Sequence, residues 1–147
     1  MITKSINAKD TFTVRQPVLR PGRAIEDCCF DLDNHVSSLH LGMEFNGEII
    51  AVLSALPIKC VNFPNLKSMR LRGIATLPAF QKKGLGSQLM IEVEKRLLKL
   101  KKTRLIWLNA RISAKLFYQN LGYNTMGETI NIRGIGMHQF MYKKLLE

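Results

Sequence analysis

The chain has 147 residues, the length of one domain, and can bury roughly two-thirds of its unfolded surface without disulfide or metal staples. Hydrophobic residues make up 46% and charged residues 22%, ordinary for a globular protein, and no apolar run approaches the about 20 residues of a membrane span. Its 22 Lys and Arg against 11 Asp and Glu give a net charge of +11, which suits nucleic acid, a phosphorylated cofactor, or simply a well-solvated basic surface.

Cys28, Cys29 and Cys60 form no CxxC or His-paired spacing. That argues against a disulfide framework or a metal site, fits a reducing compartment, and leaves the two adjacent cysteines as small buried hydrophobes. The opening "MITKSINAKD" lacks the apolar stretch of a signal peptide, so a cytoplasmic protein with no membrane partner is expected. No linker or repeat divides the sequence, and residues 1–147 read as a single domain.

"FTVRQPVL" (12–19) reads as an early helix weakened by Pro17 and stopped by Pro21 and Gly22. Residues 22–38 read as irregular, with Asp31, Asp33 and Asn34 supplying turn chemistry. "LHLGMEF" (39–45) and "EIIAVLSAL" (48–56) flank an Asn-Gly pair, a strong hairpin signal, and "KSMRLRGIATL" (67–77) continues as a third strand of the meander, ended by Pro78.

The clearest helix follows. Leu85, Leu89, Val93, Leu97 and Leu100 recur at spacings of four or three, while lysines and Arg96 load the C-terminal half, where the dipole is negative. "TRLIWLNA" (103–110) reads as a buried strand with Trp107 in the core. A second helix is expected from about Ser113, with Ala114, Phe117 and Leu121 on one face and Gly122 as its cap. Strands near 123–132 and 138–145 close the chain around "RGIG". The expected fold class is therefore mixed α/β, with a mostly antiparallel sheet and a central strand–loop–helix unit.

That unit contains "QKKGLGSQ", a glycine loop opening a helix. First-turn amides lack intrahelical partners and favour anions, so a phosphate fits there. A P-loop would need lysine after the last glycine, but Lys82 and Lys83 precede Gly84 and Gly86. A dinucleotide fingerprint would need a third glycine where Leu89 stands, and an acidic residue near the apolar stretch Leu105–Trp107. Both nucleotide motifs fail.

What fits is Q-x-x-G-x-G, Gln81 through Gly86, with Pro78 and a strand before it. Together with "RLIWLNA" and "SAKLFYQNLGY" downstream, it resembles the GNAT superfamily of acyl-CoA-dependent N-acetyltransferases over about residues 39–145. The stretch 110–142 is further similar to a small, uncharacterised bacterial subgroup of that superfamily.

The resemblance implies a GNAT-like fold and acetyl-CoA as co-substrate, with no metal. Its pyrophosphate would sit on Gln81, Lys82, Lys83, Gly84, Leu85, Gly86 and Ser87. A splayed strand would offer Ile74, Ala75 and Thr76 to the thioester and pantetheine arm, with Asn109 facing the strand gap. Tyr118 matches the tyrosine that protonates the departing thiolate, and a phenol keeps its proton at neutral pH.

The base is not evident, because the splayed strand carries Arg70 and Arg72 and no acid. Glu44, Glu48, Glu128, His40, His138 or a water chain remain as candidates, with His40 reading as a core histidine. Arg70 and Arg72 share a strand face and, with Arg111 and His138, form the candidate substrate group. Equally, these arginines pair with Asp31, Asp33 or Glu128. The acceptor is expected to be an amine, on a small molecule or a protein, and a homodimer through the late strands is left open. A catalytically silent acyl-CoA-binding domain and a basic nucleic-acid-binding module are the two competing functions. The second is disfavoured because the aromatics lie on apolar faces rather than among the basic residues.

Overall fold

A computed structural model describes residues 1–146. Strand β1 (Ile2–Ile6) leads into a short 3-10 turn and helix α1 (Phe12–Leu19). Then come β2 (Leu39–Phe45), β3 (Glu48–Leu56) and β4 (Ser68–Thr76), helix α2 (Leu85–Lys101), β5 (Leu105–Arg111) and helix α3 (Lys115–Asn120). The chain closes with β6 (Asn124–Thr125), β7 (Ile130–Ile132) and β8 (Gly136–Lys144). All eight strands form one sheet in the order β1-β2-β3-β4-β5-β8-β6, with β7 also on β8. Every pairing is antiparallel except that of β4 with β5.

Helix α1, the β2–β3 hairpin, β4 and α2 fall where the sequence puts them. β1 goes unread because its polar residues and single turn of alternation give no periodic signal, yet it pairs with β2 over Ile2–Ile6. Pro17 does lie inside α1, which ends two residues later. The expected strand over 123–132 is two short pieces, and α3 starts only at Lys115, after a 3-10 turn.

The sheet is covered on both faces. Leu85, Leu89, Met90, Val93 and Leu97 of α2 are buried against Met43, Leu53, Met69 and Leu71, each such side chain contributing about 1.5–3 kcal/mol by leaving water. Leu100, expected on that stripe, is exposed instead, and Met90 takes its share of the core. On the opposite face Val14 of α1 packs on Val52 and Ala75. Cys28 is buried as expected, but Cys29 is exposed.

Arg15 of α1 is fully buried, and three groups accept four hydrogen bonds from its two terminal nitrogens, while its Nε has no partner among the described residues. Asp33 takes a bidentate bond at 2.7 and 3.0 Å, Ser54 Oγ accepts at 2.8 Å, and the Cys28 carbonyl at 2.9 Å. His40 is 5% exposed and bridges Ser54 Oγ (2.7 Å) and the Asp33 carbonyl (2.8 Å), so it is a satisfied core histidine. This network pins the irregular segment 24–38 to β2, β3 and α1. Among the described residues no helix is long and apolar enough to cross a membrane.

Candidate active site

The site begins with one irregularity in β4. Ser68, Met69 and Arg70 pair in parallel with Leu105, Ile106 and Trp107, and there the ladder with β5 stops, although both strands continue. On its other edge β4 slips register against β3: Ser54 lies opposite Arg72, but Val52 opposite Ala75. The extra residue is a β-bulge at Gly73–Ile74, and Gly73 has φ +66°. A side chain there would be strained, and its Cβ would stand 2.7 Å from the Phe30 ring. The bulge also reverses the strand's facing: Met69 and Leu71 lie in the α2 core, whereas Ala75 lies in the α1 core. β4 is thereby bent away from β5, and the edge from Leu71 to Thr76 has no strand partner on that side.

At the far end of this edge a Pro78–Phe80 turn leads into the glycine loop. Gly84, the N-cap of α2, has φ +80°, and no side chain caps the helix. The amides of Leu85, Gly86 and Ser87 are thus left facing outward at the positive end of a 17-residue helix. Lys82 and Lys83 flank them, exposed and in no ion pair among the described residues. This donor set fits a pyrophosphate. The Nε2 of Gln81 donates to the Thr76 carbonyl at 2.9 Å, tying the loop to the end of β4.

A cleft of about 820 Å³ opens at the splay. It brings together Arg70, Arg72 and Ile74 of β4 with Asn109 and Arg111 of β5, Tyr118 of α3 and His138 of β8. Ala75 and Thr76 continue the open edge beyond it. His138 lies opposite Arg111 in the β5–β8 ladder and so shares its face.

Tyr118 is 9% exposed, and its hydroxyl has no hydrogen-bond partner among the described residues. Burial pushes its phenol up to about 12, so the proton is firmly held. The Nδ1 of His138 meets the Gly136 carbonyl at 2.9 Å, and a carbonyl only accepts. Nδ1 is therefore the donor in this contact, and Nε2 has no hydrogen-bond partner among the described residues. Asn109 makes no side-chain hydrogen bond among the described residues, so it does not bridge backbone ends.

Arg70, Arg72 and Arg111 are in no ion pair among the described residues: Asp33 is bonded to Arg15, and Asp31 and Asp33 act on Arg72 only from beyond ion-pair distance. Arg70 lies over the Trp107 ring (5.0 Å) and Arg72 over Phe30 (4.1 Å). Trp107 is therefore half-buried beneath Arg70 rather than core, with its Nε1 donating to the Ile58 carbonyl at 2.9 Å. Sequence reasoning missed Gly73, Phe30 and the cleft's further arginines. The isolated glycine inside a strand pattern was the one available signal, since it marks a bulge.

A family model described as "Acetyltransferase (GNAT) domain" matches residues 34–145. The chain is 36% identical over 142 residues to an uncharacterised N-acetyltransferase, YitI, of Bacillus subtilis (strain 168), covering 97% of this chain and 95% of the relative. Among solved structures, the aminoglycoside 6'-N-acetyltransferase from Enterococcus faecium superposes with a TM-score of 0.79 at 14% identity, covering 100% of this chain and 98% of that one. An aminoglycoside 6'-N-acetyltransferase complexed with coenzyme A gives 0.76 at 13% identity, over 100% and 98% of the two chains. At such identities the structural likeness is one of fold.

Proposed function

The chain belongs to the GNAT acetyltransferase family, and on that premise we propose that it works as one domain moving an acetyl group from acetyl-CoA to a primary amine in the gap between β4 and β5. One observation carries the reading: the Gly73 bulge opens the sheet between the glycine loop and the cleft, beside a protonated Tyr118. Acetyl-CoA supplies the thioester, whose carbonyl carbon takes the amine nitrogen as its C–S bond breaks and the electron pair leaves with sulfur.

In this reading the amides of Lys82 to Ser87, including Gly84, Leu85 and Gly86, bind the pyrophosphate, and the two lysine ammoniums add charge. Gln81 acts at one remove by holding the loop against Thr76. The open edge at Ile74, Ala75 and Thr76 bonds the pantetheine arm as an added strand would, and a backbone N–H there steadies the developing oxyanion. Asn109 meets the arm from β5. Tyr118 gives its Oη proton to the departing sulfur. His138 Nε2 takes a proton from the incoming ammonium, the task for which β4 offers no carboxylate.

Thiol release from acetyl-CoA, measured across a panel of amines with binding of acetyl-CoA followed separately by calorimetry, tests this. Amine-dependent release is expected. Tight acetyl-CoA binding with no amine raising the release rate would leave a silent acyl-CoA-binding domain instead.

A further inference from the structure

Six arginines line the cleft, namely Arg20, Arg23, Arg70, Arg72, Arg111 and Arg133, and no aspartate or glutamate does. Among the described residues only Arg23 has an ion-pair partner, Asp27 at 3.3 Å. Arg70 and Arg72 stand two apart on one face of β4, half-buried and laid over aromatic rings that fix their planes. The Nε of Arg70 is buried with no partner. Desolvation, and then the neighbouring guanidiniums, lower the pKa of both: Arg72 acts on Arg70, while Arg20 and Arg15 act on Arg72 against the smaller opposing pull of Asp33 and Asp31.

These charges do not belong to the phosphate loop. Arg70 and Arg72 alternate with Met69 and Leu71, whose side chains face α2, so the arginines face the opposite side of the sheet. The glycine loop opens α2. The arginine wall is on the side of α1 and the 24–38 segment, where Phe30 is packed between Arg15 and Arg72.

We propose that the acceptor is a small primary amine that also carries a carboxylate or phosphate group, which Arg70 and Arg72 hold while the amine faces the gap beside His138. This rests on the acetyl-transfer reading. The guanidinium fork matches the paired oxygens of either acid, and a cleft of about 820 Å³ has the size of a small-molecule site. Polycationic acceptors such as polyamines would meet like charge from these arginines.

The test uses matched amines and two readouts. Phosphoethanolamine is compared with ethanolamine, γ-aminobutyrate with butylamine, and glutamate with its diamide; spermidine, kanamycin and a peptide with N-terminal aspartate complete the panel. In thiol release the acid-bearing member of at least one pair is expected to exceed its neutral partner in kcat/KM by about tenfold or more. Arg70→Gln should remove most of that preference, with acetyl-CoA affinity within threefold. Calorimetry of the same pairs on CoA-saturated protein reads the acid preference without turnover. Binding of the acid-bearing members with no transfer would uphold the acceptor class and defeat the transferase reading. Preference for spermidine or kanamycin, acetylation of the peptide alone, or equal binding within every pair would overturn the inference.

Discussion

Asp33 takes both prongs of the Arg15 guanidinium, at 2.7 and 3.0 Å, with neither side chain exposed. The same Arg15 lies 3.8 Å from the Phe30 ring, whose other neighbour is Arg72 in the cleft. A buried charge pair thus fixes the aromatic ring on which a cleft arginine rests. Burial alone would raise the Asp33 carboxyl, but the bonds from Arg15 and the Phe30 amide outweigh it and hold it below the usual carboxylate range. A depressed carboxylate stabilises the fold above its unfolded value near 4, and that share is lost as pH falls through the folded value. Asp33→Asn should therefore cost about 3–5 kcal/mol at neutral pH, because Arg15 stays buried without its counter-charge. Chemical denaturation should find the gap between variant and parent narrowing below about pH 4.

Gly73→Ala should lower both stability and turnover. The left-handed backbone costs about 1–2 kcal/mol for a residue with a side chain, and the new methyl meets Phe30 at 2.7 Å. Adding Phe30→Leu should recover part of the melting temperature without restoring the rate, since relieving the clash leaves the strained bulge. A double variant with parental kcat would show that the bulge geometry is not needed for chemistry.

Tyr118→Phe should cut kcat by about a hundredfold, with the acetyl-CoA dissociation constant within threefold. Because the phenol is pushed up to about 12, Tyr118 should cause no alkaline fall in kcat below about pH 10. An alkaline limb near neutrality that vanishes in the phenylalanine variant would contradict its role.

His138→Gln should lower kcat roughly a hundredfold, and added imidazole should restore part of it by reaching the cleft. A variant equally active at every pH, or one that imidazole leaves unchanged, would return the base to a water chain.

Lys82→Ala and Lys83→Ala should each weaken acetyl-CoA binding by a few-fold at most, since exposed charges contribute about 0–1 kcal/mol. The loss should shrink as salt rises. An effect on the amine KM with none on acetyl-CoA would move these lysines to the other side of the reaction.

The fold was legible where packing imposes a period. The α2 stripe, the Asn-Gly hairpin and the strand before Pro78 each carry local signals that tertiary context did not override. β1 carries none, since it is held by pairing with β2 rather than by a buried face of its own. The glycine loop that opens α2 was legible because its signals are local, in closely spaced glycines and the start of an apolar stripe. Arg70, Arg72, Asn109, Arg111, Tyr118 and His138 were also named from sequence and share the cleft, but their support was not legible, because Arg15 and Phe30 meet Arg72 and Gly73 only through the fold. Sequence reading offered Asp33 to the cleft arginines, whereas a buried helix arginine claims it. Even Trp107, apolar and mid-strand, serves as a platform for Arg70.

The bulge in β4 divides a single strand into two territories. Before Gly73 the strand turns Arg70 and Arg72 into the cleft, and after it the strand offers an edge with no partner on the β5 side. If Arg70 and Arg72 hold the acceptor as proposed, changes there retune which molecule is modified while the rest of the strand stays as it is. A one-residue deletion at 73 would restore plain alternation and exchange the faces of everything downstream to Thr76. On the proposed reading, the part of β4 that meets the acceptor is thus a stretch that the donor half does not share.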